Sequence, residues 1–141
     1  MARTCRGRPD GGAPIVERSP VVSRTRLAPV ALFWQHPGMR FFDAARFTSD
    51  RPWGALDIAE IENATIRLHW TDQPYHWHVN DGPEVFVVLD GAVDMHYRDA
   101  GQEQVERLTP GRVCYAEVGD EHVAHPVPQA RILVIERKGS E

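Results

Sequence analysis

Two histidines and a glutamate lie close together in the stretch HWHVNDGPE, residues 76–84. Neutral imidazole nitrogens and carboxylate oxygens are the donors that borderline divalent metals prefer, so His76, His78 and Glu84 are candidate ligands of one ion. They can share an ion only if the local structure turns them toward one point. The elements that carry these residues therefore decide the question.

A strand would bring the three together, whereas a helix would not. On a helix, positions 76 and 78 point about 200° apart, but on a strand they share a face with Cα atoms roughly 6.5 to 7 Å apart. Trp77 then faces the other way. The NDG turn at residues 80–82 folds the chain back, so Glu84 returns on the next strand.

A short histidine pair with a nearby carboxylate occurs often by chance, so a fourth ligand is needed from elsewhere. His122, in VGDEHVAHP over residues 118–126, is the candidate, because it lies between two predicted strands. His125 competes for the role. Strict alternation from an inward His122 turns His125 outward, so we expect His125 at the surface unless the strand bends there.

The surrounding sequence predicts an all-β fold. From residue 56 onward, short runs rich in valine, isoleucine and aromatics alternate with turn residues, which is typical of a sandwich or barrel. The period within the runs is two. It places three apolar residues on one face of each of two strands: Ile66, Leu68 and Trp70, and Val93, Met95 and Tyr97. FFDAARF, residues 41–47, is either a helical turn or an edge strand.

The first 38 residues differ from the rest of the chain. They carry six arginines against two carboxylates, several prolines and no sustained apolar period, which predicts a disordered leader over residues 1–38 and a folded domain over residues 39–141. The run LAPVALFW, residues 27–34, is short and proline-broken for a signal peptide. A flexible tail or a misread start codon, with Met39 as the true start, is the favoured interpretation.

Composition narrows the class of protein. A chain of 141 residues with 42% hydrophobic residues suits one domain, and a formal net charge of −4 shows no basic surface for nucleic acid. No apolar run reaches the roughly 20 residues that span a bilayer, so we expect no membrane association. Cys5 and Cys114 are too few for a disulfide framework, and a reducing cytoplasm fits best.

These residues resemble the two motifs of the cupin superfamily, in particular its small mannose-6-phosphate-isomerase-like members. His76, His78 and Glu84, followed by VFVVLDG over residues 85–91, match the first motif. PG at residues 110–111 and His122 match the second more loosely. The resemblance covers about residues 41–137. Five residues separate His78 from Glu84, where the family usually has three or four.

The resemblance implies a jelly-roll β-barrel whose mouth holds one divalent ion (iron, manganese, nickel or zinc) on His76, His78, Glu84 and His122. It also implies a small-molecule cavity beside the ion and a homodimer. Affinity for the ion should fall below the ordinary histidine pKa of about 6.5, because protonated imidazoles cannot coordinate metal.

Other side chains have ordinary interpretations. We expect His69 and His96, opposite the apolar stripes of their strands, to be exposed or second-layer histidines and not ligands. Barrel core is the default for five more: Trp70, Phe86, Met95, Tyr97 and Tyr115. Arg67 and Arg98 should mark the solvated face, whereas the parity of Glu117 with Tyr115 could place it inward. No catalytic acid or base is evident.

Three functions agree with this pattern. In the first, the ion acts as a Lewis acid or oxygen activator on a small oxygen-bearing organic molecule, as in a cupin oxygenase or isomerase. In the second, the cavity only binds a sugar or another metabolite. In the third, the barrel is a metal-free structural dimer. The pattern leaves the reaction type and the metal open.

Overall fold

A computed structural model describes the backbone of residues 33–36 and the whole of residues 38–140. This part contains nine β-strands and a single 3₁₀ turn at Ala44–Arg46. The strands are β1 (Phe33–His36), β2 (Met39–Phe42), β3 (Gly54–Ile61), β4 (Ala64–Thr71), β5 (His78–Val79), β6 (Glu84–Asp99), β7 (Gln102–Leu108), β8 (Val113–Ala116) and β9 (Glu121–Arg137). The all-β prediction is confirmed.

Two long strands organise the main sheet, whose order is β3-β4-β9-β6-β7, with β5 added to β9 and β8 added to β6. All the pairings are antiparallel. The first half of β6 pairs with the second half of β9 and with β8. The second half of β6 pairs with β7 and with the first half of β9.

Two groups of turn-forming residues lie inside these long strands and do not end them. The prolines at 126 and 128 lie within β9, where the Val127–Pro128 peptide is cis, and Asp90–Gly91 lies within β6. The β6–β9 register shifts on both sides of Gly91, as at β-bulges, which bend a strand without ending it. Gly91 has φ +77°, and a Cβ there would lie 2.1 Å from the Gln129 carbonyl oxygen, so only glycine fits this bend.

The core lies on the inner face of the folded sheet. Its centre is formed by side chains that are at most 1% exposed: Val88, Val93, Ala130 and Ile132. Met95 also faces inward, as its alternation with Val93 predicted, and is 3% exposed. Tyr97 continues this face but is 38% exposed at the end of the strand, so core packing is the wrong interpretation for it.

On β4, the sequence predicts the two faces correctly but not which of them faces the cavity. The stripe formed by Ile66, Leu68 and Trp70 lies on the outer face, although Leu68 is only 2% exposed. Arg67 and His69, on the opposite face, line an interior cavity. Alternation cannot separate inside from outside here, because apolar side chains occupy both faces of this part of the sheet.

The N-terminal segment agrees in part with expectation. FFDAARF contains the end of β2 followed by the 3₁₀ turn, so both alternatives for it are found, one after the other. β1 pairs with β2 and lies within the predicted leader, whereas residues 1–32 lie outside the described residues, so the disordered leader stays a prediction. Among the described residues, no helix is long and apolar enough to cross a membrane.

Candidate metal centre

Three of the four predicted ligands come from three different strands and meet inside the sheet. His78 opens β5, Glu84 opens β6, and His122 is the second residue of β9, directly opposite His78. Each offers a ligand atom, and these atoms all lie within 4.8 Å of one another. The cluster of His78, Glu84 and His122, here called the inner triad, is the only such group in the described part of the chain.

The geometry of the inner triad suits shared coordination better than internal hydrogen bonding. His122 Nε2 lies 3.5 Å from Glu84 Oε2, too long for a strong charge-assisted hydrogen bond. Two donors that each lie 2.0 to 2.2 Å from one ion are about 3 to 3.5 Å apart. His78 Nδ1 lies 3.1 Å from the His76 carbonyl oxygen, and donation to that oxygen leaves Nε2 free to bind a metal.

The charges around Glu84 call for a cation. Its side chain is only 12% exposed, and apart from His122 it has no ion-pair partner among the described residues. Glu136, 7% exposed, is its direct cross-strand neighbour and forms an ion pair with Arg67. Like charges directly opposite on a sheet are destabilising, and buried charges are normally paired or bind a metal. The carboxylate of Glu84 therefore fits a divalent ion.

His76 lies outside the triad because of an irregularity before β5. The Tyr75 N–H donates to the Ala124 carbonyl at 3.0 Å, and His78 lies opposite His122. The chain takes three residue steps from Tyr75 to His78, whereas β9 takes two from Ala124 to His122. The segment before β5 therefore contains one extra residue, as in a β-bulge. Tyr75 consequently lines the cavity, and His76 is exposed with its ring centroid 5.7 Å from that of His78. Its role as a fourth ligand stays a prediction.

A cavity of about 420 Å³ opens beside the inner triad. One wall is aromatic: the Trp53 and Tyr75 rings meet edge to face with centroids 5.1 Å apart, and Tyr75 meets the His78 ring in the same way at 5.4 Å. The Trp53 indole N–H donates to the Gln73 carbonyl at 2.9 Å, which helps to hold this wall in place. The cavity is large enough for a small organic molecule.

Solved structures share this architecture. A cupin-2 domain protein from Shewanella frigidimarina is 26% identical, with a TM-score of 0.57 over 64% of this chain and 85% of that one. A cupin superfamily protein from Desulfitobacterium hafniense is 17% identical, with a TM-score of 0.55 over 67% and 86%. The chain thus has the fold of the small cupins.

A variant of Bacillus subtilis oxalate decarboxylase also shares this fold, at 17% identity and a TM-score of 0.50, over 55% of this chain and 22% of that one. No protein-family model and no curated protein sequence matches the chain. The jelly-roll barrel that the motifs implied is thus confirmed by structural likeness.

Sequence reasoning missed His69 as a cavity residue. His69 is half-buried and lines the cavity, so the expectation of an exposed or second-layer position is wrong. Burial lowers the pKa of the His69 ring below its usual range, and the charge of Arg67 lowers it further. His69 is therefore neutral at neutral pH. The sequence did indicate that His69 shares a face with Arg67, because residues two positions apart on a strand point the same way.

Several other expectations from the sequence need correction. Arg67 is half-buried in the cavity and paired with Glu136, so it does not mark the solvated face. Glu117 is exposed and follows β8, whose last residue is Ala116, so the parity argument does not reach it. Tyr115 is 58% exposed and is not core. Phe86 and Met95, by contrast, are buried as predicted.

Proposed function

We propose that this cupin holds one divalent metal ion on His78, Glu84 and His122 and binds a small oxygen-bearing organic molecule in the adjoining cavity. The observation that carries the proposal is the Glu84 carboxylate, which is nearly buried beside two imidazoles and across from Glu136. Two imidazoles with one carboxylate are a donor set that iron, manganese, nickel and zinc accept while leaving coordination positions open.

The residues around the ion would have separate tasks. When bound, the ion supplies Lewis acidity or oxygen activation. The walls formed by Trp53 and Phe86 exclude bulk water, and Arg67 offers hydrogen-bond donors. His69, held neutral and within 3.4 Å of the Trp53 carbonyl through Nδ1, is the side chain of the cavity best suited to accept a proton. These features support an enzyme acting on the bound molecule.

A metal assay tests the proposal directly. Tag-free protein purified without chelator should contain one divalent ion per chain by elemental analysis, and protein stripped with chelator should regain it from iron(II), manganese(II), nickel(II) or zinc(II). The neighbour from Bacillus subtilis is described as having Mn(II) centres, so manganese belongs in the panel. Protein that is metal-free and refuses every ion would favour the metal-free structural module.

A non-catalytic binding module remains the second candidate, because Trp53, Tyr75 and the charged cavity wall would serve binding alone equally well. Oxygen consumption or product formation by the metal-loaded protein separates the two. Turnover that disappears in His69→Gln, a variant that keeps the three proposed ligands, supports the enzyme. Ligand binding without any turnover supports the binding module.

A second copy of the chain is the partner that we propose. Apolar side chains form two ladders on the outer face, one across five strands (Leu56, Leu68, Leu133, Val87 and Val113) and one across four (Ile66, Ile135, Val85 and Tyr115). Leu68 is already buried within the chain, so the other members offer the contact surface. Five strands about 4.8 Å apart make this face about 20 Å wide. A stable dimer buries about 800 Å² per partner, and the centre of such an interface is apolar while its rim is polar. We place the two ladders at that centre.

Sedimentation velocity tests the dimer. Tyr115 is 58% exposed at the edge of the ladders, and Tyr115→Arg should shift the dimer toward monomer. Val105, 52% exposed on the edge strand β7, supplies the matched control, because Val105→Arg adds the same charge away from the ladders. A monomeric wild type would overturn this part of the proposal.

A further inference from the structure

The charges in the cavity beside the inner triad do not balance once an ion is bound. Two arginines and three carboxylates line this cavity: Arg51, Asp57, Arg67, Glu84 and Glu136. An imidazole that binds a metal is neutral, so with His78 and His122 as ligands this wall has a net negative charge of one. A divalent ion reverses it to a net positive charge of one. An uncompensated charge in a partly buried site is costly, so the occupied site favours an anion.

Arg67 is the cavity residue equipped to bind that anion. Its Nη2 donates to Glu136 Oε1, and the buried Nε–H has no partner among the described residues. The guanidinium has five N–H donors, and 33% of the side chain stays exposed, so Arg67 retains donors for a second acceptor. A planar guanidinium matches the two oxygens of a carboxylate.

Arg67 is also close enough to the inner triad for one small molecule to reach both. Glu136 lies directly across from Glu84 on β6 and across from Thr65 on β4, two positions from Arg67. Strand spacing and rise put the Cα atoms of Arg67 and Glu84 about 12 Å apart, and the two inward side chains shorten the gap between their charged groups.

We propose that the ligand of this cavity is a small organic monoanion, whose carboxylate binds Arg67 while a neighbouring hydroxyl or carbonyl oxygen reaches the ion on the inner triad. This inference rests on the proposed function. It selects a carboxylic acid with an oxygen on the adjacent carbon over a neutral sugar, because only the anion balances the charge. It makes Arg67 a specificity residue and not a metal ligand.

Matched acids and amides test the charge requirement. Zinc-loaded wild-type protein is titrated with lactate and mandelate and, separately, with lactamide and mandelamide, by calorimetry and by amide NMR shifts. Each amide keeps the shape and the adjacent hydroxyl but lacks the charge. We expect each acid to bind about 10- to 100-fold more tightly than its amide, the usual effect of a hydrogen bond to a charged group. Equal affinities, or no binding of either acid at millimolar concentration, would overturn the inference.

Variants assign the preference to Arg67. Arg67→Gln should reduce the acid-to-amide ratio to near one, whereas Arg98→Gln, a change of an exposed arginine paired with Glu121 outside this cavity, should leave the ratio unchanged. Because Arg67→Gln leaves Glu136 buried and unpaired, the double variant with Glu136→Gln is measured as well. The double variant leaves the net charge of the wall unchanged, so an acid preference that survives in it at full size would come from the net charge and not from a bond to Arg67, which would overturn the assignment.

Zinc content is measured on every sample, so the two proposals fail separately. Wild-type protein that takes up no ion contradicts the proposed function itself. Protein that binds zinc normally but treats acids and amides alike contradicts only the monoanion inference. Arg67→Gln should retain zinc binding, because Arg67 is not a member of the inner triad.

Discussion

The ring centroids of His78 and His122 are 4.3 Å apart, and so are those of His96 and His125. One residue of each pair belongs to β9, and each pair has a glutamate beside it. The inner pair belongs to a three-donor cluster, whereas the outer pair does not. The separation of imidazoles therefore does not by itself identify a metal centre.

The carboxylates account for the difference. Beside the outer pair, Glu103 Oε1 accepts from His96 Nδ1 at 2.8 Å, and both oxygens of Asp94 accept from Arg107 at 2.7 Å. Beside the inner pair, Glu84 is nearly buried and has no such partner. A carboxylate that is buried but not neutralised is the feature that marks a cation site, because its charge is costly until an ion arrives.

The two pairs should differ most in metal affinity when one ring is removed from each of them in turn. His122→Ala should weaken metal affinity by more than about 100-fold, since even second-shell changes at metal sites cost about 10- to 100-fold. His125→Ala, three residues away on β9, should retain wild-type affinity. Competition against a chromophoric chelator measures both. Similar losses in the two variants would show that the inner and outer pairs are not distinct.

Replacing the glutamates separates metal binding from stability. Glu84→Gln should lose most metal affinity, yet stabilise the metal-free protein by about 1 kcal/mol, because it removes one of two carboxylates that face each other across β6 and β9. Glu103→Gln should change neither quantity much, since Glu103 is 54% exposed. Urea unfolding of the stripped proteins measures the stability. A less stable metal-free Glu84→Gln would contradict the charge argument.

Substitution of His76 tests the one predicted ligand that the structure leaves outside the inner triad. The structure leaves the His76 side chain outside the inner triad and uses its carbonyl oxygen to orient His78. Since alanine keeps that carbonyl, His76→Ala should weaken metal affinity by no more than about 10-fold, the lower end for a second-shell change. His78→Ala is the reference. Equal losses in the two variants would establish the four-ligand site that the motif predicts.

The same residues show how far sequence reasoning reaches. Period-two alternation and turn residues predicted the strands, and the turn at residues 80–82 correctly returned Glu84 beside His78. The extra residue before β5, which exchanges Tyr75 for His76 in the cavity, could not be predicted, because a bulge is defined by the partner strand and not by local sequence. The pairing of that segment with β9 is a long-range contact.

Two further misses have physical causes of the same kind. The apolar stripe on β4 looks like a core stripe, but a barrel strand can be apolar on its outer face, so His69 and Arg67 were assigned to the wrong environment. Gly91 looks like a turn, yet it sits in a bend that lets β6 continue from one half of the sheet to the other. Whether glycine ends a strand or bends it depends on its neighbours in space.

The buried ring of His69 should make the stripped protein sensitive to acid. Burial lowers the pKa of His69 below the unfolded value of 6.5, so its contribution to stability is complete above that pH and is lost as the pH falls toward the folded pKa. Stripped His69→Gln should therefore lose less stability than wild type between neutral pH and pH 5. His96→Gln supplies the outer control. A wild-type pH slope in His69→Gln would contradict the assignment.

The smallest effect belongs to the ion pair beside the outer histidines. Hydrogen bonds from Arg107 lower the pKa of Asp94 below its ordinary 3.8, so the pair stabilises the fold above that pH and its contribution is lost as the pH falls through the folded pKa. Arg107 is 57% exposed, so solvent screening keeps the contribution of this pair small. Asp94→Asn should destabilise the protein slightly at pH 7, and the difference from wild type should shrink as the pH falls below 3.8, as measured by urea unfolding, with metal affinity unchanged. A loss of metal affinity in this variant would mean that the outer face is coupled to the inner triad, which the separate carboxylate partners argue against.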